Sequence, residues 1–224
     1  MPAPQQRSNS ATVNSPPPPF RPAHTNSRPS NVCIRYENLN GAQGQAIHSK
    51  WWLPKVTKDI LVLGTSNLSK ISWFSRRDAE VHSYPGLKLW QLVNLLKAFK
   101  HGHGSADPGL KPSKVVISVG LNDRGCTPEY NESTLKQMVN LALKKFKGSQ
   151  IYLAQIPFGS HLPEREKRTL KCHNRAILEI SKRHANVHVI PLLPARKFQL
   201  GRDGIHWTEN CANAMIDHYF QHLN

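Results

Sequence analysis

Acidic residues are scarce in this chain. Fourteen Asp and Glu stand against 30 Lys and Arg in 224 residues, a formal net charge of +16 at pH 7, and none of the acidic residues precedes Glu37. Such an excess points to polyanionic partners, RNA, DNA or an anionic membrane surface, and says nothing about fold. The plain alternative is a soluble protein whose Lys and Arg line solvated helix faces. Cysteine is equally thin: Cys33, Cys126, Cys172 and Cys211 lie far apart. That spacing excludes a zinc module and a disulfide-built scaffold. No apolar run is long enough to cross a bilayer, and the start, MPAPQQRSNS, lacks the apolar core of a secretory signal. The expectation is a reducing, intracellular and cytoplasmic setting. A glycine-rich phosphate loop is missing too. The segment GTSNLSK, Gly64 to Lys70, has one glycine and no Gly-Lys-Ser/Thr ending, so neither a P-loop nor a dinucleotide fingerprint is present.

What the chain does contain divides near residue 45. Residues 1–45 are rich in Pro, Ser, Asn and Gln, with four consecutive prolines at Pro16 to Pro19. This composition buries too little apolar surface to offset its ordering entropy, and predicts a disordered, mildly basic arm. Residues 46–224 read as one domain. Nearly continuous apolar runs, rich in β-branched residues, recur at Asp59 to Gly64, Val81 to Pro85, Val115 to Gly120, Gln150 to Ile156 and Val187 to Leu192. Between them, Leu89, Leu92, Val93, Leu96 and Phe99 fall at helical spacing, as do Leu135, Met138, Val139, Ala142, Leu143 and Phe146. Two more helices are expected, one from near Pro163 to about His184 and one after Thr208 as its N-cap. Strands alternating with helices predict an α/β fold of three layers, flavodoxin-like, with a mostly parallel sheet of about five strands and ligands at their carboxyl ends.

Four short segments carry candidate chemistry, and each has a bland reading. Ser66 follows the first strand, where a nucleophile or a turn cap would sit. In DGIHW, Asp203 is placed three residues before His206 and can hold its imidazole in one tautomer, or merely cap a surface turn. In VGLNDR, the Asn122 amide can donate to an oxyanion, or the segment is a plain turn. In YPGLKL, the Gly86 N–H is a further donor candidate. Each segment follows an expected strand or precedes the last helix, so a parallel sheet would bring all four to one rim. Together they are the parts of an acyl-transfer site.

In chain order Ser66, Gly86, Asn122 and His206 resemble the four signature residues of the SGNH, or GDSL-type, hydrolases, with Gly120 to Asp123 matching GxND and Asp203 to His206 matching DxxH. More narrowly, GTSNL, YPG and SVGLNDR look like the esterase domain in the first open reading frame of LINE-type retrotransposons. The chain departs from the GDS block, with Thr65 in place of Asp and Asn67 after the serine. The resemblance implies a serine esterase acting on short acyl esters through an acyl-enzyme. Ser66 would be nucleophile, His206 base and Asp203 its partner, with Ser66, Gly86 and Asn122 forming the oxyanion hole. That chemistry asks for no cofactor and no metal, and the HGHG run at His101 to Gly104 is read as solvated loop. The competing reading is a basic nucleic-acid-binding module that keeps the fold without using it, with Trp51 and Trp52, beside Lys50 and Lys55, stacking on bases. The sequons at Asn67 and Asn131 are discounted, because a glycan beside Ser66 would obstruct the site.

Overall fold

The computed structural model describes residues 33–35, 51, 53, 55–99 and 110–223. Among these residues six strands form one parallel sheet: β1 (Ile34–Arg35), β2 (Ile60–Thr65), β3 (Ala79–Tyr84), β4 (Lys114–Ser118), β5 (Gln150–Ala154) and β6 (Val187–Ile190). Their order is β1-β3-β2-β4-β5-β6. Without β1 this is the flavodoxin order, with the crossover point between β2 and β4. The five expected strands are all present, shifted by a residue or two. The sixth comes from the stretch read as an arm, where Ile34 and Arg35 pair with His82 and Ser83 and Cys33 is buried. The rest of the expected arm lies outside the described residues, as does the HGHG segment.

Alternation along the central strands explains why the sheet needs cover on both sides. Leu61 and Leu63 of β2 face one core, shared with α1 (Leu89–Ala98), α2 (Pro128–Lys145) and α3 (Glu164–Ser181). Ile60 and Val62 face the other, shared with α4 (Glu209–Gln221). The predicted helical stripes are the buried ones: Leu92, Val93 and Leu96 on α1, and Leu135, Met138, Val139 and Ala142 on α2. Thr208 caps α4 as its sequence suggested, its hydroxyl accepting from the Cys211 N–H at 3.2 Å. Among the described residues no helix is long and apolar enough to cross a membrane.

Trp51 does not serve as a stacking platform. Its ring is buried edge-on against Tyr84, centroids 5.8 Å apart, because the segment before β2 needs an apolar anchor on the α1 side of the sheet. Trp52 and Lys50 lie outside the described residues.

The end of β2 is packed tightly. A Cβ on Gly64 would come within 2.6 Å of Leu68 Cδ1 and 3.0 Å of the Ser118 carbonyl oxygen. Gly64→Ala is therefore expected to destabilise the fold by about 1–3 kcal/mol, measured by urea denaturation.

Candidate active site

The rim at the carboxyl ends of β2, β3 and β4 gathers the four segments. β2 ends at Thr65, and Ser66–Lys70 form a short 3-10 turn that lifts Ser66 off the sheet. Two hydroxyls brace that exit: Ser83 Oγ donates to the Thr65 carbonyl at 2.9 Å, and Ser69 Oγ to the Ser66 carbonyl at 2.6 Å.

His206 arrives from the loop before α4. Its Nε2 lies 3.0 Å from Ser66 Oγ, and its Nδ1 lies 2.5 Å from Asp203 Oδ2. The other Asp203 oxygen accepts the backbone N–H groups of Ile205 and His206 at 3.0 and 2.9 Å. The His206 hydrogen bond first, and these two amides after it, hold the Asp203 carboxyl well below the usual carboxylate range. A charged Asp203 keeps the proton on Nδ1 and turns the lone pair of Nε2 towards Ser66.

The donor side is built by two turns locked to each other. Tyr84-Pro85-Gly86-Leu87 closes with Leu87 N–H donating to the Tyr84 carbonyl at 3.1 Å, and Gly86 has φ +79°. Proline second and a left-handed glycine third are the marks of a type II turn, whose closing bond uses Leu87 and not the Gly86 N–H. Asn122 sits in the turn Leu121–Asp123 and donates from Nδ2 to the Leu87 carbonyl at 3.1 Å. One of its two amide hydrogens is thereby committed, and the second is left for another acceptor.

Asp123, the last residue of the GxND match, has a role that the sequence did not reveal. Fully buried, it accepts the Leu89 N–H with both oxygens, at 3.2 and 3.1 Å, and so caps α1 from a different loop. The residue at the cap position in sequence is Lys88, which has no side chain able to accept there. Nothing local to Leu89 signals that partner. Beneath the same block, Gly120 has φ +142°, and a Cβ on it would lie 2.5 Å from His173 Nε2. His173 is buried with neither ring nitrogen in a hydrogen bond of normal geometry.

Similar solved structures include a lipolytic protein of the G-D-S-L family from Veillonella parvula, 13% identical over 73% of this chain and 97% of that one, with a TM-score of 0.58. A lipase/acylhydrolase from Enterococcus faecalis is 17% identical over 74% and 94%, with a TM-score of 0.57. The fold is that of the GDSL-type hydrolases. A psychrotrophic esterase, EstA from Pseudoalteromonas sp., solved inhibited by monoethylphosphonate, is 16% identical over 75% and 100%, with a TM-score of 0.53. No protein-family model and no curated protein matches the chain. At these identities the likeness to the GDSL-type hydrolases is one of fold.

Burial pushes the Asp123 carboxyl up to about 7 against the Leu89 hydrogen bond, and pushes the His173 imidazole down to about 4 with the Val119 backbone opposing. The two act in opposite senses. Stability from Asp123 is full below its ordinary 3.8 and is lost as pH rises through about 7. Stability from His173 is full above its ordinary 6.5 and is lost as pH falls through about 4. Asp123→Asn is expected to leave stability rising with pH across that window, and His173→Gln to leave it falling, as read by urea denaturation at acid and neutral pH.

Proposed function

We propose that the chain is a serine ester hydrolase working through an acyl-enzyme. One observation carries this reading: Ser66, His206 and Asp203 form a continuous relay at 3.0 and 2.5 Å, on the rim where a parallel sheet holds its ligands. Ser66 Oγ attacks the ester carbonyl as His206 Nε2 takes its proton. The charge that forms on the carbonyl oxygen is met by the Ser66 and Gly86 N–H groups and by the uncommitted Asn122 hydrogen. His206 then returns the proton to the leaving alcohol. In the second half it deprotonates a water that attacks the acyl carbon, and as the bond to Ser66 Oγ breaks His206 returns the proton to Oγ and the acid leaves.

Short acyl esters are the proposed substrates, and a retrotransposon ribonucleoprotein the proposed setting. The support for both is the likeness of GTSNL, YPG and SVGLNDR to the retrotransposon esterase domain.

Ser66→Ala is expected to abolish p-nitrophenyl acetate hydrolysis and labelling by a fluorophosphonate probe. Asn122→Ala should lower kcat about a hundredfold, the loss of about 3 kcal/mol from one oxyanion donor, and should also cost about 1–3 kcal/mol of stability, because the Leu87 carbonyl loses its partner. Unchanged turnover in Ser66→Ala removes the serine from the mechanism.

A second reading has its own observation. Arg165, Arg168, Lys171 and Arg175 on α3, and Lys182 at its C-cap, are exposed, on a chain of net charge +16. This face suits a polyanion, and a nucleic-acid-binding role can stand beside catalysis or replace it. Binding to single-stranded RNA should then fall steeply between about 50 and 200 mM salt, and Arg168→Ala with Arg175→Ala should flatten that slope. Salt-independent binding, or none, argues against this role.

A further inference from the structure

The two departures from the GDS block flank Ser66, and they meet different ends. Thr65 closes β2 and its hydroxyl does not cap the turn that follows. Asn67 turns inward instead. It is 3% exposed, and its Oδ1 accepts the backbone N–H of Trp207, the residue after His206, at 3.1 Å. The burial also removes Asn67 from use as a glycan acceptor. The geometry points to Asn67 as the positioning residue for the histidine: a side chain one residue from the nucleophile holds the backbone one residue from the base.

The other bonds of the histidine loop do not perform this task. Gly201 N–H donates to the His206 carbonyl at 2.7 Å, Thr208 N–H to the Gln199 carbonyl at 3.2 Å, and Asp203 takes the Ile205 and His206 amides. All of these lie within residues 199–208. They shape the loop without setting its distance from β2. Among the described residues, the hydrogen bonds joining this loop to the Ser66–Lys70 turn are Ser66 to His206 and Asn67 to Trp207.

The difference between those two bonds matters during turnover. Once Ser66 Oγ is acylated, it has no proton to give His206, and that link is lost at the stage when the imidazole must activate water. The Asn67 link involves no reacting atom and persists through both halves of the cycle. Asn67 thus keeps the base in place while the nucleophile is occupied. It does so in a chain whose first block lacks the usual Asp.

This inference rests on the esterase reading for its catalytic consequence, and its test separates the two. Asn67→Leu keeps the volume and removes the acceptor, while Asn67→Asp keeps an acceptor. In Asn67→Leu, kcat for p-nitrophenyl acetate is expected to fall about ten- to a hundredfold with KM within about twofold, because small misplacements of a catalytic group are costly. The Trp207 amide should also lose its protection from hydrogen exchange, and Asn67→Asp should restore it together with part of kcat. If Asn67→Leu does not fold, Asn67→Ala makes the same comparison with less crowding. A Trp207 amide still protected in the acceptor-less variant overturns the inference, and so does an unprotected amide with parental kcat. Absence of fluorophosphonate labelling in the parent protein overturns the esterase reading instead, whatever the amide does.

Discussion

Ser66 Oγ and His206 Nε2 are 140 positions apart in sequence and 3.0 Å apart in space, and the proposed chemistry depends on that meeting. What makes it possible is the parallel ladder. β2 pairs with β3 on one side and β4 on the other, so their carboxyl ends stop at one level. The turns that follow then open onto a common rim. The histidine loop reaches it from the opposite side because α4 packs under β2 and β4 through Ile216, Met215 and Tyr219. A bond from Tyr219 to Ser118, 2.8 Å between hydroxyl oxygens, pins α4 to β4.

The two halves of the site are held by different physics. On the histidine side, partly exposed groups are ordered by hydrogen bonds to one carboxylate, whose two oxygens serve three donors. On the donor side, order comes from burial. Asn122 and Asp123 point into the turn before α1 and satisfy groups there that water cannot reach. Asn131 Nδ2 adds a bond to the Asp123 carbonyl at 3.1 Å. A buried network of this kind is stiff when every member is paired. Asn131 Oδ1 and the His173 ring nitrogens are exceptions, buried without a hydrogen bond of normal geometry, and the His173 ring fills the space that a side chain at position 120 would otherwise claim.

Legibility in the sequence followed the range of the forces. The stripes on α1 and α2, the β-branched runs of the sheet, the Thr208 cap and the Pro-Gly turn at Pro85 and Gly86 are set by neighbours within a few residues, and the periodicity exposes them. Strand β1 was hidden because two residues in a polar, proline-rich stretch carry no period, and only the edge of β3 makes them a strand. Trp51 was ambiguous for a similar reason. A tryptophan between lysines can stack on a base, though it more often covers the end of a strand as core, and here the contact with Tyr84 decides for the core.

By itself the sequence determined the alternation of strands and helices, hence a parallel sheet with its ligand rim, and it marked Ser66, Gly86, Asn122, Asp203 and His206 as chemically competent residues. It determined these because period, turn residues and the Asp-x-x-His spacing are local. Only the tertiary structure decided that Asp123 caps α1, that His173 fills the space under Gly120, and that Asn67 holds Trp207. In each case the two residues come from segments that meet only when the sheet has assembled, and a partner chosen by spatial proximity leaves no spacing to read in the chain.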